Sequence, residues 1–301
     1  MQTRPVGIHA SLALLAICLA GSNCFAERQS QGQQTSDPLS LPAEQWAKAA
    51  AQNEVKIVRY NSPYLRYRIH QIDAKGDQTR DVIESKDGTV ARLIKRSGKP
   101  LTPEQDAAER SRLQAMVNSP DAFAKHIKSD VTGKKTAVDL LGVMPDAMTY
   151  SYASGQPQRP GMREKPNGMR EVVLDFKPNP KWKPPTLESE ALTGLEGRLW
   201  IDTDTRVVTR MEGRLVHAVN FGWGLFARLY PGGTVTVEQA ALPDNRFIIT
   251  HFIDDITLRA MMVKTIKVHS DISAFGFAPI GELTYQQAIR ALLASPLSSA
   301  D

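Results

Sequence analysis

Between Tyr60 and Pro100, polar and apolar residues alternate in three runs, YLRYRIHQID, QTRDVIES and TVARLIKRSG, broken by Lys75-Gly76-Asp77, Lys86-Asp87-Gly88 and Ser97-Gly98. A period of two sends successive side chains to opposite faces of a strand, and glycine at each break permits a tight turn, so the pattern predicts an antiparallel meander. In the first run Tyr64, Arg66, Arg68 and His70 alternate loosely with Leu65, Tyr67, Ile69 and Ile72. One face is then apolar and the other basic and wet, as in a sheet covered on one side.

The period turns helical on either side of this meander. PAEQWAKAAAQN, opening at Pro42, puts Ala43, Trp46, Ala47 and Ala50 on one face, with Trp46 as its anchor. Thr102-Pro103-Glu104-Gln105 is a capping box with proline at the first helical position and predicts a helix to about Val117. Asn118-Ser119-Pro120 ends it and starts a second helix, DAFAKHIK, and a third pattern, KKTAVDLLGVM, stops at Pro145.

Strand signal returns at Met148–Tyr152, and the polar, Pro/Gly-rich stretch at about 154–169 reads as an exposed loop. EVVLDF from Glu171 is a strand, whereas KPNPKWKPP after it, with four prolines lacking N–H donors, cannot be a central one. GRLWIDT, RVVTRMEGRLVHAV, GTVTVEQAAL, NRFIITHFID and MMVKTIKVHSDI continue the β pattern. A last helix, TYQQAIRALLA, turns Tyr285, Ala288, Ile289 and Leu292 to one side. The reading is an α+β, mainly β, antiparallel fold: a single domain over residues 41–296 with a helical insert at about 102–145.

The N-terminus changes where the protein is expected to act. Arg4, the apolar run SLALLAICLA and Gly-Ser-Asn-Cys-Phe-Ala26 have the layout of a secretory signal peptide, residues 1–26, followed by a Gln-rich flexible leader, residues 27–40. The predicted location is the periplasm. Both cysteines, Cys18 and Cys24, lie in the signal, so cleavage after Ala26 leaves no thiol for disulfides, zinc or nucleophilic catalysis. Lipid anchoring at Cys24 is the alternative, but Asn23 stands where a lipoprotein signal carries a small residue. The formal net charge of +5 is mild and its bases are spread along 301 residues, which gives no nucleic-acid signature.

Candidate chemistry is sparse. Asp202-Thr203-Asp204 resembles the start of a phosphoryl-transfer or calcium loop. Arg206 and Val207 occupy the positions that would decide either, and a strand follows where a helix should, so the reading is a hairpin turn. His70, His126, His217, His251 and His269 show no metal-binding spacing. His251, Asp254 and Asp255 form the densest polar cluster on a strand, with His251 and Asp255 on one face ~13 Å apart. No catalytic residue, metal ligand or cofactor motif is assigned. The segment from Val219 to Gly233, with four aromatics and four glycines, reads as a hydrophobic flap, Phe221, Trp223, Leu225 and Phe226, with Trp182 on a possible partner rim. The plainer reading is a turn whose aromatics close one end of the core.

The order of elements, with the hairpin GRLWIDTDTRVVTRMEGRL carrying Asp in its turn, resembles the periplasmic lipoprotein-carrier family, the LolA/LolB-like proteins. The resemblance implies a strongly curved antiparallel sheet, an incomplete barrel, with helices plugging its open concave face over an apolar cavity. It also implies a binding protein rather than an enzyme, with no cofactor, whose partner is the acyl chain of a lipid or lipoprotein. Transient contact with a membrane surface is expected separately, from the basic surface and the aromatic segment. Two alternatives stand beside it: an envelope sensor that binds lipoprotein or another envelope protein, and a secreted hydrolase assembled from distant Asp and His residues. The chain exceeds a typical carrier in length, and no acyl-binding arginine of the family can be matched.

Overall fold

The computed structural model describes residues 37–59, 64–159, 169–222, 226–260 and 263–296. The signal peptide, most of the leader, and Trp223 and Leu225 of the flap lie outside the described residues. The meander forms as its alternation requires, in strands β1 (Leu65–Asp73), β2 (Gly76–Ser85), β3 (Gly88–Arg96) and the short β4 (Lys99–Pro100). After helices α2 (Pro103–Asn118) and α3 (Pro120–Ala147) come β5 (Met148–Tyr152), β6 (Glu171–Pro178), β7 (Leu195–Asp202), β8 (Val208–Leu215), β9 (Val219–Phe221), β10 (Ala227–Leu229), β11 (Thr234–Ala241), β12 (Phe247–Ala260) and β13 (Lys264–Pro279). Helix α1 (Ala43–Arg59) precedes the sheet and α4 (Tyr285–Ala294) follows it.

All pairings are antiparallel, in the order β4-β3-β2-β1-β13-β12-β11-β8-β7-β6-β5, with the β9–β10 hairpin attached to the end of β12. The sheet is curved and open, not closed into a barrel. Its register puts Leu65, Tyr67, Val82, Ala274, Ile272, Phe252, Val237, Met211, Leu199 and Leu174 on one continuous apolar inner face. The chain leaves the sheet at β4 on one edge and re-enters at β5 on the other, so the α2–α3 connection must cross from edge to edge. On the way α3 packs with α1 over the β5–β8 half. Helix α4 lies on the opposite face of β2 and β3, where Ile83 and Val90 meet Tyr285, Ala288, Ile289 and Leu292.

Several expectations need correction. The second and third helical patterns are one 28-residue helix, α3, which runs through Gly133 and has Pro145 inside its last turn. A proline there interrupts little, because the strand begins three residues later. The leader's last residues are folded: Trp46 Nε1 donates to the Pro38 carbonyl at 2.9 Å, and Leu39 and Leu41 pack on the core of α1. Gln156 and Gln158, from the stretch expected as an exposed loop, lie along β6.

Side chains cover strand backbone along β3 and along β6 where it runs on past the end of β5. The Gln156 amide exchanges hydrogen bonds with both Val173 backbone groups, and the Gln158 amide does the same with Glu171, so side chains imitate a missing strand. Arg159 closes this edge on the buried Glu171 at 2.7 Å. Along β3, Glu109 accepts from the Leu93 N–H, Arg112 donates to the Ala91 carbonyl, and the His126 ring bonds the Thr89 backbone. Such covering blocks edge-to-edge association.

The hairpin reading of Asp202-Thr203-Asp204 holds. Asp202 Oδ1 accepts from the Asp204 N–H at 3.0 Å, the Thr205 N–H at 2.8 Å and the Thr205 hydroxyl at 2.9 Å, and Arg206 follows at φ 55°. Gly197 opposite Gly213 lets β7 and β8 meet closely, since a Cβ at Gly197 would strike the Glu212 carbonyl oxygen.

Arg92, 1% exposed, ties the meander end together: it donates to the Leu292 and Ser295 carbonyls at the end of α4 and pairs with Asp106 of α2 at 2.9 Å. Arg92→Met should lower unfolding free energy by about 3 kcal/mol, the scale for breaking a buried charge network. Hydrogen exchange should then show α4 losing protection before β7 and β8. Asp202→Ala should cost only about 1–2 kcal/mol in a urea melt, because the acceptor lost is exposed and local.

Candidate functional site

Helix α1 follows from its sequence: Glu44 in its first turn and Lys56 and Arg59 in its last complement the backbone dipole. Its buried stripe is Ala43, Trp46, Ala47, Ala50, Glu54 and Val58. Trp46 anchors one end, with the Arg206 guanidinium 5.0 Å from its ring centroid. Asn53 ties the helix to the β7–β8 turn through the Thr205 carbonyl at 2.9 Å.

Between these anchors the helix presents methyl groups. With side chains as small as Ala47, Ala50 and Ala51 on its wall, a cavity of about 140 Å³ remains between α1, α3 and the inner face. Leu140, Leu141 and Met144 of α3 line one side, and Leu199, Met211 and Val237 of the sheet the other. The Tyr150 hydroxyl, also in the lining, is satisfied by donating to the Met144 carbonyl at 3.0 Å.

The polar exception is Glu54, 7% exposed. The β8–β11 ladder ends at Arg210 opposite Glu238, and a bulge beside Trp200 shifts β8. The Val208 peptide is therefore left without a β11 partner. Its N–H donates to Glu54 Oε1 at 2.9 Å, and Gln239 Nε2 donates both to its carbonyl at 2.8 Å and to Glu54 Oε2 at 2.9 Å. Glu54 and Gln239 thus close the gap where two strands splay. The same bulge breaks strict alternation along β8, so that Val208 lines the cavity together with Met211, three residues on.

Burial pushes the Glu54 carboxyl up to about 7, against the pull of its two donors. Glu84, also inner-facing and 1% exposed, accepts from the Tyr67 hydroxyl at 2.9 Å and is likewise pushed by burial to about 7. Two carboxyl groups of the inner face, Glu54 and Glu84, therefore take up protons near neutral pH, well above the usual carboxylate range.

On the outer face a wider groove of about 780 Å³ crosses β5 to β8 and β11. Its Arg198 and Asp175 are paired with each other at 2.6 Å, and its Glu212 with Arg210 at 2.7 Å. Glu196 and Arg214, opposite one another on β7 and β8, and Lys177 also line it, so its three acids and three bases sum to no net charge.

The flap residues stand elsewhere. Phe221 packs with Leu229 and Leu258 beyond the cavity, Phe226 is exposed, and Trp182 belongs to the separate cluster around α1. None of these three lines the cavity. His251, Asp254 and Asp255 do not converge: Asp254 turns inward, while His251 pairs with Asp271 at 2.9 Å and Asp255 lies 3.9 Å from His269 on the other face. Among the described residues no group of three or more His, Cys, Asp or Glu is placed to hold a metal ion. Glu54 and Gln239 carried no local signal, since they lie 185 positions apart in the sequence.

No family model matches the chain, and no curated protein matches it. Among solved structures it is similar to a DUF1329 family protein from Desulfovibrio piger, with 11% identity, covering 81% of this chain and 95% of that one, and a TM-score of 0.32. A likeness so loose carries no argument about fold or activity.

The raised acids give a signed expectation. Between about 4.5 and about 7 the folded chain holds protons at Glu54 and Glu84 that the unfolded chain has released. Their contribution to stability is therefore full below about 4.5 and declines as pH rises to about 7. The difference is on the order of 3 kcal/mol for each. His126, pushed down by burial, slopes the opposite way, so the test is comparative. Glu54→Gln should flatten the decline between pH 5 and 8 relative to the parent, read from urea midpoints; an unchanged pH profile would remove Glu54 as a buried neutral acid.

Proposed function

We propose that the protein is a carrier, acting in the periplasm, that holds the acyl chain of a lipid or lipoprotein between α1, α3 and the inner face of the sheet, in the manner of the LolA/LolB-like proteins. The observation that carries this reading is the cavity itself: an almost wholly aliphatic lining drawn from two helices and the sheet, with one carboxyl that burial pushes up to about 7. A site of this kind favours a chain of methylenes over a charged metabolite.

Its size adds a mechanism. About 140 Å³ is close to an apolar cavity that accepts benzene, so it seats the end of a chain and not its full length. A longer chain enters when α1 lifts. Over the cavity α1 places Ala47, Ala50 and Ala51, between the larger buried Trp46 and Val58, so a shift of this middle stretch exposes less apolar area, at ~25 cal/mol per Å², than a leucine-lined helix would. The hydrogen bonds of Trp46, Asn53 and Glu54 then determine where the helix returns.

Delipidated protein should bind a fluorescent fatty-acid probe, and native mass spectrometry of undelipidated protein should find a copurified lipid. Ala51→Leu, which fills the cavity from the helix side, should weaken probe uptake at least about tenfold while leaving thermal stability equal or higher. Wild-type protein that takes up neither probe nor lipid would sink the carrier reading, and a stable protein partner recovered without lipid transfer would favour the envelope sensor.

A further inference from the structure

Strand β10 pairs on both sides: Ala227 lies opposite Phe221 of β9 and opposite Ala260 at the end of β12. The β9–β10 and β12–β13 hairpins therefore finish side by side at one end of the sheet. Both present apolar residues to solvent there, Phe226 at 61% exposure and Val263 at 88%. They stand on a packed base of Leu215, Val219, Leu229, Leu258 and Ala260, all buried, so the end is held in shape from beneath.

Cations surround these two residues. Arg228 and Arg259 are directly opposed across β10 and β12, Lys264 is opposite Ala260, and Lys267 is opposite Thr257. No carboxylate among the described residues pairs with any of the four, and neither 221–231 nor 256–268 contains Asp or Glu. Arg228 has instead the Tyr230 ring at 5.7 Å. Like charges directly opposite one another on a sheet destabilise it, and an anionic partner would turn that repulsion into attraction.

We propose that this paired hairpin end docks the protein on an anionic lipid bilayer, with Phe226 and Val263 entering the headgroup boundary and Arg228, Arg259, Lys264 and Lys267 meeting the lipid phosphates. Apolar side chains at the tip with cations set around them match the layered chemistry of a membrane interface. A nucleic acid would engage the cations but has no use for an exposed valine. The proposal does not depend on the cavity, because docking is measured with vesicles and no acyl probe.

The test is flotation of the purified protein with phosphatidylcholine vesicles, with and without phosphatidylglycerol. The protein should float with the phosphatidylglycerol vesicles, remain behind with phosphatidylcholine alone, and be released as salt rises. Lys264→Gln with Lys267→Gln should weaken binding about thirtyfold, roughly a factor of five for each cation near an anionic surface. Phe226→Ser should weaken the binding that persists at raised salt. All three positions are exposed, so thermal melting should be unchanged, and a variant that melts with the parent is a fair comparison. Failure to float, equal binding to neutral and anionic vesicles, or full binding by the folded variants would each overturn the proposal; so would capture by a short DNA duplex in preference to the vesicles.

Discussion

The inner face of the sheet is apolar along its length, and the sheet does not close over it. An open curved sheet must cover that face with something else and must also dispose of two unpaired edges. The connection from β4 to β5, which has to travel between the edges in any case, supplies part of the cover and protects the β3 edge. In passing, α2 and the start of α3 supply Glu109, Arg112 and His126 to the β3 edge, and the rest of α3 becomes half of the inner cover. At the far edge Gln156 and Gln158 complete β6 with side-chain amides.

The other half of the cover, α1, is built differently from a core helix. A helix meant only to seal the sheet would present leucines throughout; this one presents Ala47, Ala50 and Ala51 over the cavity, packs Trp46 and Val58 on either side of them, and is tied by hydrogen bonds at Trp46, Asn53 and Glu54. Apolar adhesion is thereby concentrated towards the two ends of the helix and withheld from its middle. The arrangement costs stability, through an unfilled volume and a buried acid, and leaves the helix's place set by directional bonds. Glu54 also finishes the Val208 peptide where β8 and β11 part, so the device that admits a cavity also satisfies the backbone exposed by it.

Local pattern carried much of the architecture. Thr102 with Gln105, and Thr284 with Gln287, form complete capping boxes, and Tyr285, Ala288, Ile289 and Leu292 are the buried stripe of α4. Period-two alternation located most of the strands, though not the short β4, β9 and β10, the last two of which fall in the segment read as a flap. What escaped was non-local. Nothing near Gly133 announces that α3 continues, because the packing that sustains it comes from α1 across the cavity. The bulge that brings Val208 inward arises from pairing with Trp200 and Ile201, and a single strand's alternation cannot contain it. Glu54 looked like an ordinary helix-surface acid, since its burial is decided by Gln239 on a distant strand. The two hairpin tips likewise meet only through the β10–β12 register.

The central seam of the sheet joins β1 to β13, with Leu65 opposite Pro279 and Ile72 opposite Asp271. The first strand made is thus hydrogen-bonded to the last. During synthesis the meander has one free side until about two hundred further residues have emerged, and the β5–β12 half cannot be joined to it earlier except through the helical crossing. Contacts of such long sequence separation slow folding and prolong the time for which an apolar strand edge is open to other chains. The molecule's hardest moment is therefore before the seam closes, when its two halves exist as separate sheets linked by α2 and α3.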